Sequence, residues 1–186
     1  DVAFSHYFQW GYPILPHKKE LNEYPAHGAE VAIFDFVMHE DAGLRRAVRF
    51  MNEWAKELPL LKNAQTVRYE DMRADTQKEL TRILSWMGQN PSTAEVVQSV
   101  EFAAFENLKQ LEARRAFGSS SMRMIPGDKD NPDSYKVRRA KVGGYRDYFD
   151  DDQVQQIDSY IRANLDPVFG YEAQDVLPVA MRGMSR

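Results

Sequence analysis

The feature that most constrains the fold is one predicted strand among several amphipathic helices. Residues 64–71, AQTVRYED, carry the β-branched and aromatic side chains of a strand, and a helix is predicted soon after it, at residues 76–87. Because a strand cannot satisfy its backbone hydrogen bonds alone, it needs partner strands. The sequence therefore predicts a βα unit of an α/β domain whose other strands lie outside this chain.

Local signals predict that the rest of the chain is mostly helical. Thr76 and Glu79 have the spacing of a capping box, as do Ser92 and Glu95, and Gly88 stands where a C-terminal cap belongs. Further helices are predicted at residues 29–38, 44–58, 105–114 and 151–164. Loops are predicted at the proline-bearing residues 11–25 and, as a mobile loop, at residues 117–136.

The clearest chemical signal is the basic segment, residues 136–146, KVRRAKVGGYR. It carries five positive charges and no acid, within a chain whose net charge is −4. Gly143 and Gly144 allow the backbone to approach a ligand closely. Basic side chains beside such a backbone suit a bound phosphate or sulfate. A solvated basic turn accounts for the composition equally well.

Composition limits the function classes. A chain of 186 residues, 43% hydrophobic and 28% charged, is typical of one globular domain. It has no cysteine, and its four histidines are not spaced as metal ligands, so we predict no metal site. The acidic balance argues against nucleic-acid binding, and no apolar run is long enough to span a bilayer. We therefore expect neither a nucleic-acid nor a membrane partner, and a cytoplasmic location.

Three separated segments resemble the cytosolic-type sulfotransferase family, in the family's order and over nearly the whole chain. DVAFSHYFQW, at residues 1–10, is similar to part of the segment Arg-Asn/Asp-Pro-Arg-Asp-Val-Ala-x-Ser-x-Tyr. VRYEDMRADTQKELTRILSWMG, at residues 67–88, resembles the Tyr-Glu-Asp-Leu/Met strand and its helix. VRRAKVGGYRDYF, at residues 137–149, is similar to the motif Arg-Lys-Gly-x-x-Gly-Asp-Trp-Lys-x-x-Phe.

The resemblance implies a fold and a reaction. The fold is the C-terminal portion of a three-layer, P-loop-NTPase-like α/β fold, a parallel sheet flanked by helices, of which residues 1–186 supply a mostly helical part. The reaction transfers a sulfuryl group from 3'-phosphoadenosine 5'-phosphosulfate and leaves adenosine 3',5'-bisphosphate. The acceptor is a hydroxyl or amine of a small-molecule or carrier-bound compound.

By position, the resemblance also implies the donor-binding residues. Those expected at the 3'-phosphate are Ser5, Arg138, Arg139 and Ala140, and those expected at the adenine are Tyr69 and, from a weaker match in EFAAFENLK, Phe105. Three positions depart from the motif: Ala140 replaces its first glycine, Gly144 its Asp and Tyr145 its Trp.

In the family, the phosphosulfate loop and the catalytic base precede the segment at which this chain begins to match. We therefore assign no catalytic residue, expect the N-terminal remainder of the same domain as a partner, and expect the chain alone to be inactive. Two other functions stay open. The chain could belong to another nucleotide-dependent group-transfer enzyme, or its basic segment could bind an acidic partner or sulfated glycan without catalysis.

Overall fold

The computed structural model describes residues 1–10, 16–117, 124–126 and 128–171. These residues form nine α-helices: α1 (Val2–Trp10), α2 (Pro16–Leu21), α3 (Ile33–Met38), α4 (Leu44–Glu57), α5 (Tyr69–Ala74), α6 (Thr76–Trp86), α7 (Thr93–Phe102), α8 (Phe105–Ala113) and α9 (Asp151–Asn164). Short 3₁₀ turns lie at Leu58–Leu60, Pro132–Ser134, Gly144–Asp147 and Pro167–Phe169. None of the helices in the described ranges has the length and hydropathy to cross a membrane.

The predicted strand at residues 64–71 is wrong as an element of this structure. Residues 64–68 have no regular structure, and Tyr69 to Asp71 belong to helix α5. Arg68 does keep extended backbone angles, φ −86° and ψ 139°. A β-strand needs a neighbouring strand to pair with, and the described part of the chain contains none. Residues 64–68 therefore form no sheet within the described residues. The parallel sheet stays a prediction.

Contacts divide the chain into two compact units. Among the described residues, the first comprises 1–7, 16–65 and 145–171. Its described core takes one or more buried side chains from each of four helices: Phe4 of α1, Phe36 of α3, Val48 of α4 and Ile157 of α9. The Phe4 ring also lies 4.4 Å from the ring of Tyr148. Burial of each such side chain stabilises the unit by roughly 1.5 to 3 kcal/mol.

A glycine sets the junction between α3 and α4 in this unit. A Cβ on Gly43 would collide with the carbonyl oxygens of Phe36 and Val37, so only glycine lets the two backbones meet there. His39 stabilises the same turn, because its Nδ1 accepts from the amides of Asp41 and Ala42 at 3.1 and 3.2 Å.

Among the described residues, the second unit comprises 8–10, 66–117, 124–126 and 128–144, and it contains α5 to α8. The predicted capping box of Ser92 and Glu95 is confirmed at the start of α7. Gly88 ends α6 with φ +76°, which confirms its predicted role. The predicted cap at Thr76 is wrong by one residue. Asp75 has the non-helical angles of a cap and accepts from the Lys78 amide, whereas the Thr76 hydroxyl donates to the Met72 carbonyl.

Two other predictions needed correction. The loop predicted at residues 11–25 contains helix α2, because Pro16 stands at the first helical position, where its fixed φ favours a helix and its missing N–H is not needed. The helix predicted at residues 29–38 occupies only Ile33–Met38. Residues 11–15, and residues 118–123 and 127 of the predicted mobile loop, lie outside the described residues.

Candidate functional site

The start of the basic segment is held by a buried acid on helix α8. Glu112 is completely buried, and its two carboxylate oxygens accept hydrogen bonds from the backbone amides of Lys136 and Val137 at 2.7 and 2.8 Å. Charge-assisted bonds of this kind contribute roughly 1.5 to 3 kcal/mol each. The backbone directly before Arg138 is therefore fixed by two strong contacts.

Lys136 is held to the same unit through its side chain. Its ammonium donates to the Gln9 side-chain oxygen, and the Gln9 amide nitrogen donates to the Tyr135 carbonyl at 3.2 Å. Burial lowers the pKa of Lys136, and the negative charge of Glu112 opposes that shift. The Lys136 side chain therefore helps to hold the basic segment against α1 residue Gln9.

The two adjacent arginines lie in different surroundings. The Arg138 side chain is only 9% exposed, its guanidinium carbon lies 3.8 Å from the centre of the Phe8 ring, and its Nη1 lies 3.5 Å from Oδ1 of Asp133. Arg139 is exposed. A guanidinium group donates to carboxylate and to phosphate oxygens with the same geometry. The N–H groups of Arg138 and Arg139 therefore fit a phosphate group.

The backbone after the arginines is unusual. Ala140 has φ +50°, a left-handed conformation that costs an L-residue roughly 1 to 2 kcal/mol and that glycine adopts without this cost. Gly143 has φ +69°. Ala140 occupies the position of the family motif's first glycine, and its backbone has the left-handed conformation that glycine adopts most easily.

In the first unit, the end of the basic segment is held by a second buried acid. Asp158 of α9 accepts from the Tyr145 hydroxyl at 2.7 Å and from Arg146 at 2.9 Å, and the Tyr145 amide donates to the Asp1 side chain at 3.1 Å. Burial and the hydrogen bond to Asp158 both raise the pKa of Tyr145. Tyr145 is therefore a neutral hydrogen-bond donor that helps to anchor the segment.

The other predicted donor-binding residues are spread over both units. Ser5 lies exposed on α1 in the first unit, whereas Tyr69, Phe105 and the arginines belong to the second. Tyr69 is the first residue of α5 and is 47% exposed. Phe105 begins α8, with the Lys109 ammonium 5.7 Å from its ring centre. Within the described residues, no hydrogen bond, ion pair or ring contact links Tyr69 or Phe105 to residues 138–140.

Sequence reasoning missed the acids that shape the segment. Glu112 follows Leu108 by four residues, and Asp158 follows Val154 by four, so each carboxylate lies on the helix face that carries an apolar residue. An acid on an apolar helix face is a signal that could have identified both residues, since a buried charge requires partners.

The histidine beside Ser5 has a structural contact. His6 Nδ1 donates to the Ala42 carbonyl at 3.1 Å, within the first unit. This hydrogen bond fixes the orientation of the His6 ring and links α1 to the residues before α4.

Comparisons with known proteins agree on one family. The sulfotransferase domain family matches residues 1–169. The flavonol 4'-sulfotransferase of Flaveria chlorifolia is 29% identical over 105 residues, a match that covers 53% of this chain and 31% of that protein, so the chain matches about a third of its curated relative. No solved structure matches the chain. The family match covers most of the chain, which therefore belongs to the sulfotransferase domain family.

Proposed function

We propose that the chain is part of an enzyme that transfers a sulfuryl group from 3'-phosphoadenosine 5'-phosphosulfate to a hydroxyl or amine acceptor. Membership of the sulfotransferase domain family supports the reaction class, and the name of the Flaveria relative is consistent with it. The acceptor is a small-molecule or carrier-bound compound, and the sheet of a P-loop-like fold completes the domain.

In this proposal the chain binds the part of the donor that does not react. When bound, the donor supplies the sulfuryl group, and its 3'-phosphate is a remote anchor whose binding energy holds the reacting end in place. Arg138, Arg139 and the Ala140 backbone bind that phosphate, together with Ser5. Tyr69 and Phe105 contact the adenine, and a ring that stacks on a base contributes roughly 1 to 3 kcal/mol.

One observation carries the proposal: the left-handed backbone at Ala140, directly after two arginines. The exposed residues Glu23 and Arg115 share this left-handed conformation, so the conformation alone does not indicate a ligand. At Ala140 it coincides with two preceding arginines and with the glycine of the family motif, and this combination is typical of a backbone that approaches a phosphate. The buried anchor at Glu112 supports the same conclusion, because a site for a fixed anion must itself be fixed.

The proposal is tested by calorimetric titration of the intact protein with adenosine 3',5'-bisphosphate and with adenosine 5'-monophosphate. We expect the bisphosphate to bind far more tightly, because only it carries the anchoring phosphate. Arg139→Ala should weaken bisphosphate binding roughly 10- to 150-fold, the equivalent of about 1.5 to 3 kcal/mol for one charge-assisted contact.

Lys141→Ala is the matched control, since it removes one exposed positive charge from the same segment at a position that the motif does not use. We expect a change of only a few-fold from Lys141→Ala. Equal losses in the two variants, or equal binding of the two nucleotides, would instead favour general attraction of anions to the segment.

A further inference from the structure

Glu112 occupies a position where an acid is costly. It lies in the last turn of α8 and has no exposed surface. Removing a carboxylate from water is expensive unless hydrogen bonds replace the lost hydration. The C-terminal end of a helix also disfavours negative charge, because the helix carbonyls point there. Neither the burial nor the helix explains why this residue is an acid.

The partners of Glu112 provide the explanation. Its two oxygens accept from two consecutive backbone amides, those of Lys136 and Val137, at 2.7 and 2.8 Å. Two bonds from one rigid carboxylate fix the orientation of both peptide groups. A shorter or neutral side chain could not satisfy both amides in the same way.

These two amides stand immediately before the residues proposed to bind phosphate. Arg138, Arg139 and the left-handed turn at Ala140 follow in the next three positions. The basic segment carries five like charges that repel one another, so its backbone needs an external constraint to keep one geometry. Glu112 supplies both the constraint and a compensating negative charge.

We propose that Glu112 is a positioning residue for the 3'-phosphate site, an inference that rests on the proposed function. It does not contact the nucleotide. It holds residues 136 and 137 so that the arginines and the Ala140 backbone converge on one anion.

The test is Glu112→Gln in the intact protein, titrated with adenosine 3',5'-bisphosphate and adenosine 5'-monophosphate. Glutamine has nearly the same shape, but its NH₂ group would face a backbone N–H, so one of the two bonds is replaced by a donor–donor contact. We expect the dissociation constant of the bisphosphate to rise at least tenfold and that of the monophosphate to change less than twofold. Glu101→Gln, an exposed glutamate on α7, is the matched control and should change neither.

The ratio of the two dissociation constants separates positioning from general stability. An unchanged ratio would overturn the inference, because a loss of general stability weakens the binding of both nucleotides equally. If the unaltered protein binds both nucleotides equally, the proposed function fails first, whatever the variant does.

A measurement on the unaltered protein covers the case in which the variant does not fold. The amides of residues 136 and 137 should exchange with deuterium as slowly as the amides within α8, because Glu112 holds both. Exchange at the rate of an open loop would contradict the inference without any substitution.

Discussion

Replacing Ala140 by glycine should stabilise the protein, which is the reverse of the usual effect of glycine. Ala140 has φ +50° and follows two arginines in the basic segment. In this conformation the Cβ of an L-residue lies too close to the neighbouring carbonyl oxygen, and glycine has no Cβ.

Two opposing effects determine the size of the change. Relief of the left-handed strain is worth roughly 1 to 2 kcal/mol. The greater freedom of glycine in the unfolded chain costs roughly 0.4 to 1 kcal/mol. Their difference centres on a gain of about 0.8 kcal/mol, which for a chain of this size raises the melting temperature by roughly 2 to 3 °C.

The assay is equilibrium unfolding in urea, read as a change in midpoint at constant slope. Ala55→Gly is the matched control, because Ala55 lies in the interior of helix α4, where glycine should destabilise by roughly 0.5 to 1 kcal/mol. Opposite signs for the two variants would support the reasoning. A loss of stability at position 140 as large as the loss at position 55 would refute it, since the left-handed backbone at Ala140 would then not destabilise the protein.

Two further predictions concern the contacts of the basic segment. Tyr145→Phe removes a hydrogen bond to the buried carboxylate of Asp158 and should lower the free energy of unfolding by roughly 1.5 to 3 kcal/mol in urea titrations. The control is Tyr160→Phe, at a tyrosine whose ring contacts Arg45. An equal loss of unfolding free energy in the control would contradict the role of the Tyr145 hydroxyl. Asp133→Asn removes a half-exposed carboxylate 3.5 Å from Arg138, so bisphosphate should bind roughly two- to fivefold more tightly in calorimetry, with a smaller gain at high salt. Weaker binding would mean that Asp133 orients the arginine instead of competing with the phosphate.

Features encoded by neighbouring residues could be predicted from the sequence. The bounds of α9 agree with those expected, because Asp150 and Gln153 form a capping box and the apolar residues recur at helical spacing. The box at Ser92 and the glycine at position 88 were likewise identified correctly. Each of these signals acts over three or four residues, so the rest of the fold hardly affects it.

The failed strand prediction concerns a feature that depends on distant parts of the chain. Residues 64–71 have the composition of a strand, but a strand exists only with a partner, and composition contains no information on whether one is adjacent. The loop predicted at residues 11–25 was wrong for a local reason. Its prolines predict a loop, but Pro16 stands at the first position of α2, where proline favours a helix.

The candidate site combines both kinds of information. Five positive charges in eleven residues predict an anion site, and the family motif predicts Arg138 and Arg139 as the residues that bind the anion. The geometry depends on acids 24 and 12 residues away in sequence, Glu112 and Asp158, as counted from Lys136 and Arg146. A flexible basic segment would attract any anion, whereas a segment fixed by buried carboxylates can distinguish one arrangement of phosphate oxygens from another. Selectivity for a 3'-phosphate would therefore reside as much in the acids that hold the segment as in the arginines that bind the ligand.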